Sequence, residues 1–204
     1  MRYMPIFVDL AGKSVLLVGA GRVALRRARQ LLEAGARLTV IAPLINDEFS
    51  SLHGVELIER PVVAADISVQ YRLVIAATDQ TAVNAMVSEE CERMRILCNR
   101  CDDFVQGDFV CGGTVARGPV ISSTMAGGVP EVAKFLNAKV ASLMTPGFIE
   151  LATLLAELRP AIKASPKQGG RVREFIFGLV NDQTMARIER EGCEKLREEI
   201  MACL

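Results

Sequence analysis

The chain has 204 residues, half of them apolar, with 24 basic and 24 acidic side chains and no formal net charge. That is enough apolar material for a substantial core in one or two domains. Zero net charge excludes a general nucleic-acid binder, while local arginine clusters can still face an anionic ligand, so the expected partner is a small molecule.

At the N-terminus, MRYMPIFVDL lacks the long apolar core of a secretory signal, and no apolar run approaches the ~20 residues of a membrane span. A cytoplasmic protein with no membrane partner is expected. The first half then alternates short apolar runs with helical patterns. SVLLV (14–18), RLTVIA (37–42), VELIE (55–59), RLVIAA (72–77) and RILC (95–98) read as strands, and 22–34 and 81–94 as helices. All but the third strand are nearly continuous apolar runs, as when helices cover both faces of a parallel sheet. The fold class is α/β, a Rossmann-like doubly wound sheet.

After about residue 112 the texture changes. GGTVARGPVISSTMAGGVP is rich in Gly, Ser and Pro around one strand-like core, PVISST, and EVAKFLNAKVASLM reads as a helix. FIELATLLAELR is a helix before Pro160, SPKQGG a loop, and Val172, Phe175, Ile176, Leu179 and Val180 mark one helical face. MARIEREGCEKLREEIMACL is read as one amphipathic surface helix. The expected boundaries are a dinucleotide-binding domain over 1–112, a distinct segment over 113–145 and a helical domain over 146–204.

Gly19, Gly21 and Ala24 form G-x-G-x-x-A between a strand and a helix, the context that a dinucleotide fingerprint requires. Gly19 permits the tight turn, Gly21 lets the backbone approach a pyrophosphate, and Ala24 allows close helix-strand packing. The helix N-terminus supplies amides and a favourable dipole. An acidic residue usually follows, ~20 residues on, to bind the adenine ribose. Here the second strand runs into Pro43-Leu44, and the first carboxylates are Asp47 and Glu48. The choice between NAD and NADP is therefore not written in the usual acid.

The six cysteines (Cys91, Cys98, Cys101, Cys111, Cys193 and Cys203) suit a reducing compartment better than a disulfide framework. Cys98 and Cys101 make a CxxC with no second pair and no histidine nearby, so they read as small hydrophobes at a strand end. The single histidine, His53, falls in a loop.

Together, MPIFVDLAGKSVLLVGAGRVALRRARQLLEAGARLTVIAP, VIAATDQTAVNAMVSEECERMRILCNRCDD and PVISSTMAGGVPEVAKFLNAKV closely resemble the siroheme synthase N-terminal, or precorrin-2 dehydrogenase, family. The likeness covers roughly residues 1–145. It implies an NAD-dependent enzyme that removes two hydrogens from precorrin-2 to give sirohydrochlorin. It also implies a homodimer in which 113–145 reaches across to its partner, with a helical tail helping to enclose the tetrapyrrole. Some members insert a metal ion, for which this sequence offers no ligand cluster, so no metal site is assigned.

Carried over residue by residue, the resemblance places NAD on Gly19, Gly21, Arg22 and Val23, with Pro43 and Leu44 near the adenosine and Thr78 on the nicotinamide side. Asp102 is the expected catalytic carboxylate, with neighbouring Asp103 as its rival. Precorrin-2 carries eight carboxylates. Arg22, Arg26, Arg27, Arg29, Arg93, Arg95 and Arg100 could meet them, and Arg100, beside Asp102, is the chosen substrate contact. At STMAGGVPEVAK the chain departs from the family, with Met125 and Ala126 before the glycines and Val129 before Pro130, so a serine role in that loop does not transfer. Two other classes fit the same glycine turn: a dinucleotide-sensing module without chemistry, and an oxidoreductase for another small substrate.

Overall fold

The computed structural model describes residues 2–103, 105–168 and 171–204. The chain folds into two compact units that meet between Cys111 and Gly112. In the first, β1 (Ser14–Val18), β2 (Arg37–Ala42), β3 (Val55–Glu59), β4 (Leu73–Ala76) and β5 (Leu97–Arg100) form one parallel sheet in the order β3-β2-β1-β4-β5. Helix α1 (Arg22–Glu33) connects β1 to β2, and α2 (Thr81–Met94) connects β4 to β5.

Successive strand side chains point to opposite faces, and the two faces hold separate cores. Val15 and Leu17 pack with Ala24, Leu25 and Ala28 of α1 on one side. Leu16 and Val18 pack with Val87 and Cys91 of α2 on the other. Each such buried Val or Leu side chain contributes roughly 1.5–3 kcal/mol, which is why the central strands need to be apolar at every position. The doubly wound parallel sheet read from the sequence is thus the observed fold. VELIE is less apolar because β3 is an edge strand and most of it is exposed.

The fifth strand lies two residues later than RILC suggested. Arg95 takes the left-handed conformation (φ 58°) that ends α2, so pairing begins only at Leu97 and carries Asn99 and Arg100 into the sheet. The following loop covers this edge. Asp108 bonds Cys98 twice, accepting from its amide and donating its own amide to the carbonyl, each at 2.8 Å. The Asn99 amide donates to the Phe109 carbonyl at 2.7 Å.

In the second unit, β6 (Gly113–Arg117) and β7 (Val120–Thr124) form an antiparallel hairpin followed by α3 (Pro130–Leu143) and α4 (Pro146–Ala164). Then come α5 (Val172–Leu179), α6 (Asp182–Glu191) and α7 (Glu194–Cys203). PVISST is β7, whereas β6 went unread because GTVAR has too few apolar positions and is mostly exposed.

Two helical readings are corrected here. Helix α4 continues through Pro160 to Ala164, because Leu155, Leu158 and Ile162 all enter one core with Ile188, Leu196 and Ile200. Burial on both sides of the proline outweighs one lost backbone hydrogen bond. The terminal stretch is two helices rather than one. Gly192 sits at φ 78°, a conformation glycine adopts without strain, and the chain turns there. Among the described residues, no single helix is long and apolar enough to cross a membrane.

Candidate functional site

Strand β1 lies between β2 and β4, so the chain leaves it in one direction and returns on its other side, opening a crevice at the strands' C-terminal ends. The Gly19 amide donates to the Ile41 carbonyl at 2.9 Å, and the Ala77 amide to the Val18 carbonyl at 2.8 Å, tying the glycine turn to both neighbouring strands. A cleft of about 1010 Å³ occupies this place, walled by the ends of β1, β2 and β4 and the start of α1.

Gly19 and Gly21 do different work. Gly19 has φ +104°, and a Cβ built there would lie 2.5 Å from the Ala77 carbonyl oxygen, so the fold itself demands glycine. Gly21 has φ −82°, which any residue adopts, and a Cβ there would meet nothing within 4 Å. The space beside it opens on the cleft. No side chain caps α1, and its first turn holds no acidic residue, so its leading amides and positive dipole end stay available to an anion. These features would fit a dinucleotide, with its pyrophosphate at the helix start and the missing Cβ at Gly21 leaving room for it.

All seven residues expected to hold the cofactor line this cleft: Gly19, Gly21, Arg22, Val23, Pro43, Leu44 and Thr78. Leu44 is 80% exposed and Val23 43%, an uncovered apolar pair at the end where the usual ribose acid is missing. Asn46 lines the same end, but its side chain already accepts from the Glu48 amide at 2.9 Å.

Asp102 lines the cleft too, beside Cys101. Its Oδ1 and Oδ2 accept from Arg100 Nε and Nη2 at 3.2 and 2.8 Å. The Arg100 side chain is 8% exposed and that of Asp102 is 22% exposed. The guanidinium holds the Asp102 carboxyl below the usual aspartate range, with a further contribution from the Asn84 amide. Arg100, expected on a substrate carboxylate, therefore commits two donors to Asp102 and is not among the residues lining the cleft. Asp103 accepts from the Val105 amide at 2.9 Å as a turn aspartate and also lies outside the lining.

Asn84, fully buried on α2, is the residue that sequence reasoning missed. Its Oδ1 accepts from the Thr78 amide at 3.2 Å and from the Thr78 hydroxyl at 2.7 Å, and its Nδ2 donates to the Thr78 carbonyl at 3.1 Å. It fixes the loop after β4 and also touches Asp102. The available signal was a polar residue at the spacing of Val87 and Cys91, in the stripe that α2 buries.

Three of the other arginines serve other contacts, and Arg93 pairs with Glu90. Arg29 pairs with Glu48 at 3.0 Å, and Arg27 donates to Gln30 and to the Cys111 carbonyl. Cys98 and Cys101 go to opposite faces of the sheet. Cys98 is buried against Cys91 under α2, whereas Cys101 packs on the α1 side and donates to Asn99 Oδ1 at 3.3 Å. Burial pushes the thiols of Cys91, Cys101 and Cys111 up, for Cys91 after the larger effect of its hydrogen bond with Cys98. Among the described residues, no three His, Cys, Asp or Glu side chains converge as a metal site.

The chain is similar to known proteins in sequence and in fold. The chain is 35% identical to siroheme synthase 3 of Aeromonas hydrophila over 211 aligned residues, covering 99% of this chain and 45% of that one. It is 37% identical to siroheme synthase 2 of Yersinia enterocolitica, over 80% of this chain and 35% of the other. The chain thus spans less than half the length of these curated relatives. Among solved structures, SirC, precorrin-2 dehydrogenase, superposes with a TM-score of 0.76 at 24% identity, covering 96% of this chain and 100% of that one. The NAD_binding_7 family, described as NAD(P)-binding, matches residues 6–113, more than half of the sequence. The glycine turn, the open helix start and this match together establish that the chain belongs to the NAD_binding_7 family of NAD(P)-binding proteins.

Proposed function

We propose that the protein is an NAD-dependent dehydrogenase of precorrin-2, with Asp102 as its catalytic residue. The observation that carries this reading is Asp102 itself, an ionised carboxylate held by Arg100 in the same cleft as the glycine turn and Thr78. A module that only senses a dinucleotide has no need of such a group. Two siroheme synthases align over most of the chain, and the fold is that of a precorrin-2 dehydrogenase.

The balanced reaction is precorrin-2 + NAD⁺ giving sirohydrochlorin + NADH + H⁺, in which NAD supplies the hydride acceptor. The amides of Arg22 and Val23 at the start of α1 receive the pyrophosphate. Pro43 and Leu44 flank the adenosine, and Thr78, immobilised by Asn84, borders the nicotinamide. Asp102 stabilises the positive charge that develops on the macrocycle as hydride departs, and takes the released proton on to solvent. Arg100 is a positioning residue that fixes the carboxylate and keeps it anionic.

Because the folded carboxyl titrates below its ordinary value, its contribution is present above the ordinary carboxylate range and is lost as pH falls through the lowered value. The wild-type kcat/KM profile is thus expected to show no acid limb near pH ~4. Arg100→Gln brings a limb up into that range, and Arg100→Lys restores much of the wild-type profile. Superimposable profiles for wild type and Arg100→Gln would remove the positioning role.

The homodimer belongs to the same proposal. Helix α3 buries no residue, and Ile121, Val132, Phe135, Leu136 and Leu143 are exposed along it and the preceding hairpin. An apolar surface of this kind suits a partner subunit, which supports treating 113–145 as the dimerising segment.

The deciding experiment mixes the purified protein with enzymatically generated precorrin-2 and NAD and follows NADH. Turnover supports the dehydrogenase. Tight NAD binding without turnover would instead return the chain to the sensing class.

A further inference from the structure

A second cavity, of about 390 Å³, lies in the first unit at the end of the sheet away from the glycine turn. Its walls include Ser14 and Arg37, the first residues of β1 and β2, then Thr39 of β2 and Glu56 of β3, and Gln70 and Tyr71 just before β4. It shares no lining residue with the large cleft. The cavity follows from how the strands are connected. β1 joins β2 through the 12 residues of α1, and β4 joins β5 through the 14 of α2. Between β3 and β4, residues 60–72 form only one short 3-10 turn, Ala64–Asp66, so this connection lays no α-helix over β2 and β3. Side chains alternate along a strand, and Ser14, Arg37, Thr39 and Glu56 therefore share the face of Leu16, Val18, Ile41 and Ile58, which pack on the α2 side. That face is apolar toward the C-terminal ends of the strands and polar toward their N-terminal ends, where it floors the cavity.

The polar groups stand on rigid strands and do not satisfy one another. Thr39 is 9% exposed, and its hydroxyl donates to Glu56 Oε2 at 2.9 Å, the two residues being register partners on β2 and β3. Arg37 Nη2 donates to Ser14 Oγ at 3.2 Å, again between register partners, on β1 and β2. Arg37 and Glu56 are diagonal neighbours on adjacent strands, within reach of long side chains. Among the described residues they form no ion pair, with each other or with any other group. Tyr71 is also 9% exposed and makes no side-chain hydrogen bond among the described residues. A cation and an anion held apart over one cavity, each fixed by a hydroxyl, suit a small molecule that carries both charges.

We propose that this cavity is a second ligand site, built for a free α-amino acid. Arg37 takes the carboxylate, for which its planar fork is suited. Glu56 takes the ammonium through Oε1, the oxygen that Thr39 leaves open. Gln70 and the Tyr71 hydroxyl meet the ligand's side chain. The volume is at the low end for small-molecule sites, which admits an amino acid and is too small for a dinucleotide. This site goes beyond the dehydrogenase reading and does not depend on it.

The test is a ligand-observed NMR titration of the whole chain with L-serine and L-glutamine. 3-Hydroxypropionate and ethanolamine run beside them, each keeping only one of the charges of serine. Wild type is expected to bind at least one of the amino acids saturably, with a Kd of about 1 mM or tighter, and the singly charged compounds about tenfold more weakly. Arg37→Gln and Glu56→Gln should each weaken amino-acid binding by about tenfold, and Arg37→Lys should recover part of the loss, because the ammonium keeps the charge without the fork. Both side chains are exposed, so the thermal midpoint, read on the same samples, should stay near that of wild type. Saturating NAD should leave amino-acid affinity unchanged, since the two cavities have no lining residue in common. The proposal is overturned if wild type binds neither amino acid below ~10 mM, or if both Gln variants bind within about twofold of wild type. Equal affinity for the singly charged compounds, or displacement of the amino acid by NAD, overturns it as well. NADH formation is read separately: binding that depends on Arg37 and Glu56 without any turnover keeps this site and removes the dehydrogenase.

Discussion

Asp102→Asn is expected to lower the rate of NADH formation from precorrin-2 by about 10²–10⁴-fold, the usual contribution of a positioned proton-transfer group. The amide keeps the size of the carboxylate but removes its charge and its ability to take a proton. Arg100 would then face a neutral partner across a largely buried contact, so some stability should be lost as well. Cofactor affinity is the control that gives the result meaning. Asp102 lines the same cleft as the glycine turn but is not assigned to the dinucleotide, so the NAD dissociation constant should stay within a few fold. An unchanged rate would move the chemistry away from Asp102 and leave the dehydrogenase reading standing. Equal loss of NAD binding and rate would make Asp102 a structural support of the cofactor site.

The second large effect separates the two glycines. Gly19→Ala forces a methyl group to within 2.5 Å of the Ala77 carbonyl oxygen and places alanine at φ +104°. Neither backbone can move without disturbing β1 and β4. The expected loss is about 3 kcal/mol or more, or roughly 6–12 °C in Tm for a chain of this size. Gly21→Ala meets no protein atom and needs no unusual backbone angle. Its Tm should match wild type, while NAD affinity falls by about tenfold or more because the methyl enters pyrophosphate space. Thermal unfolding and NAD titration on the two variants check both halves. If Gly21→Ala binds NAD normally, the pyrophosphate does not lie against that glycine.

The parallel sheet was legible because SVLLV, RLTVIA and RLVIAA are nearly continuous apolar runs, as a strand covered on both faces requires. The members of the cleft were legible for a related reason: each lies where a strand ends, and strand ends on one side of a parallel sheet converge. Relations among side chains were less accessible. Nothing in the order of residues says that Arg100 turns back onto Asp102, because that depends on β5 starting at Leu97 rather than Arg95. Asn84 was hidden similarly, since its three bonds to Thr78 exist only after α2 has packed. In the second unit, Gly192 read as an ordinary helical position because apolar spacing resumes beyond it at Leu196 and Ile200, and periodicity alone does not register a change of axis.

Pro43 and Leu44 line the cleft where a carboxylate usually ends the second strand of such a sheet, and this has a consequence for cofactor selectivity. A carboxylate there does two things: it bonds the ribose hydroxyls of NAD, and it repels the extra phosphate of NADP. This chain has given up the repulsion along with the bond. Any preference between the two dinucleotides therefore cannot rest on repulsion by that acid, and the ratio of NAD to NADP affinity is expected to change little at high ionic strength, where discrimination by charge fades.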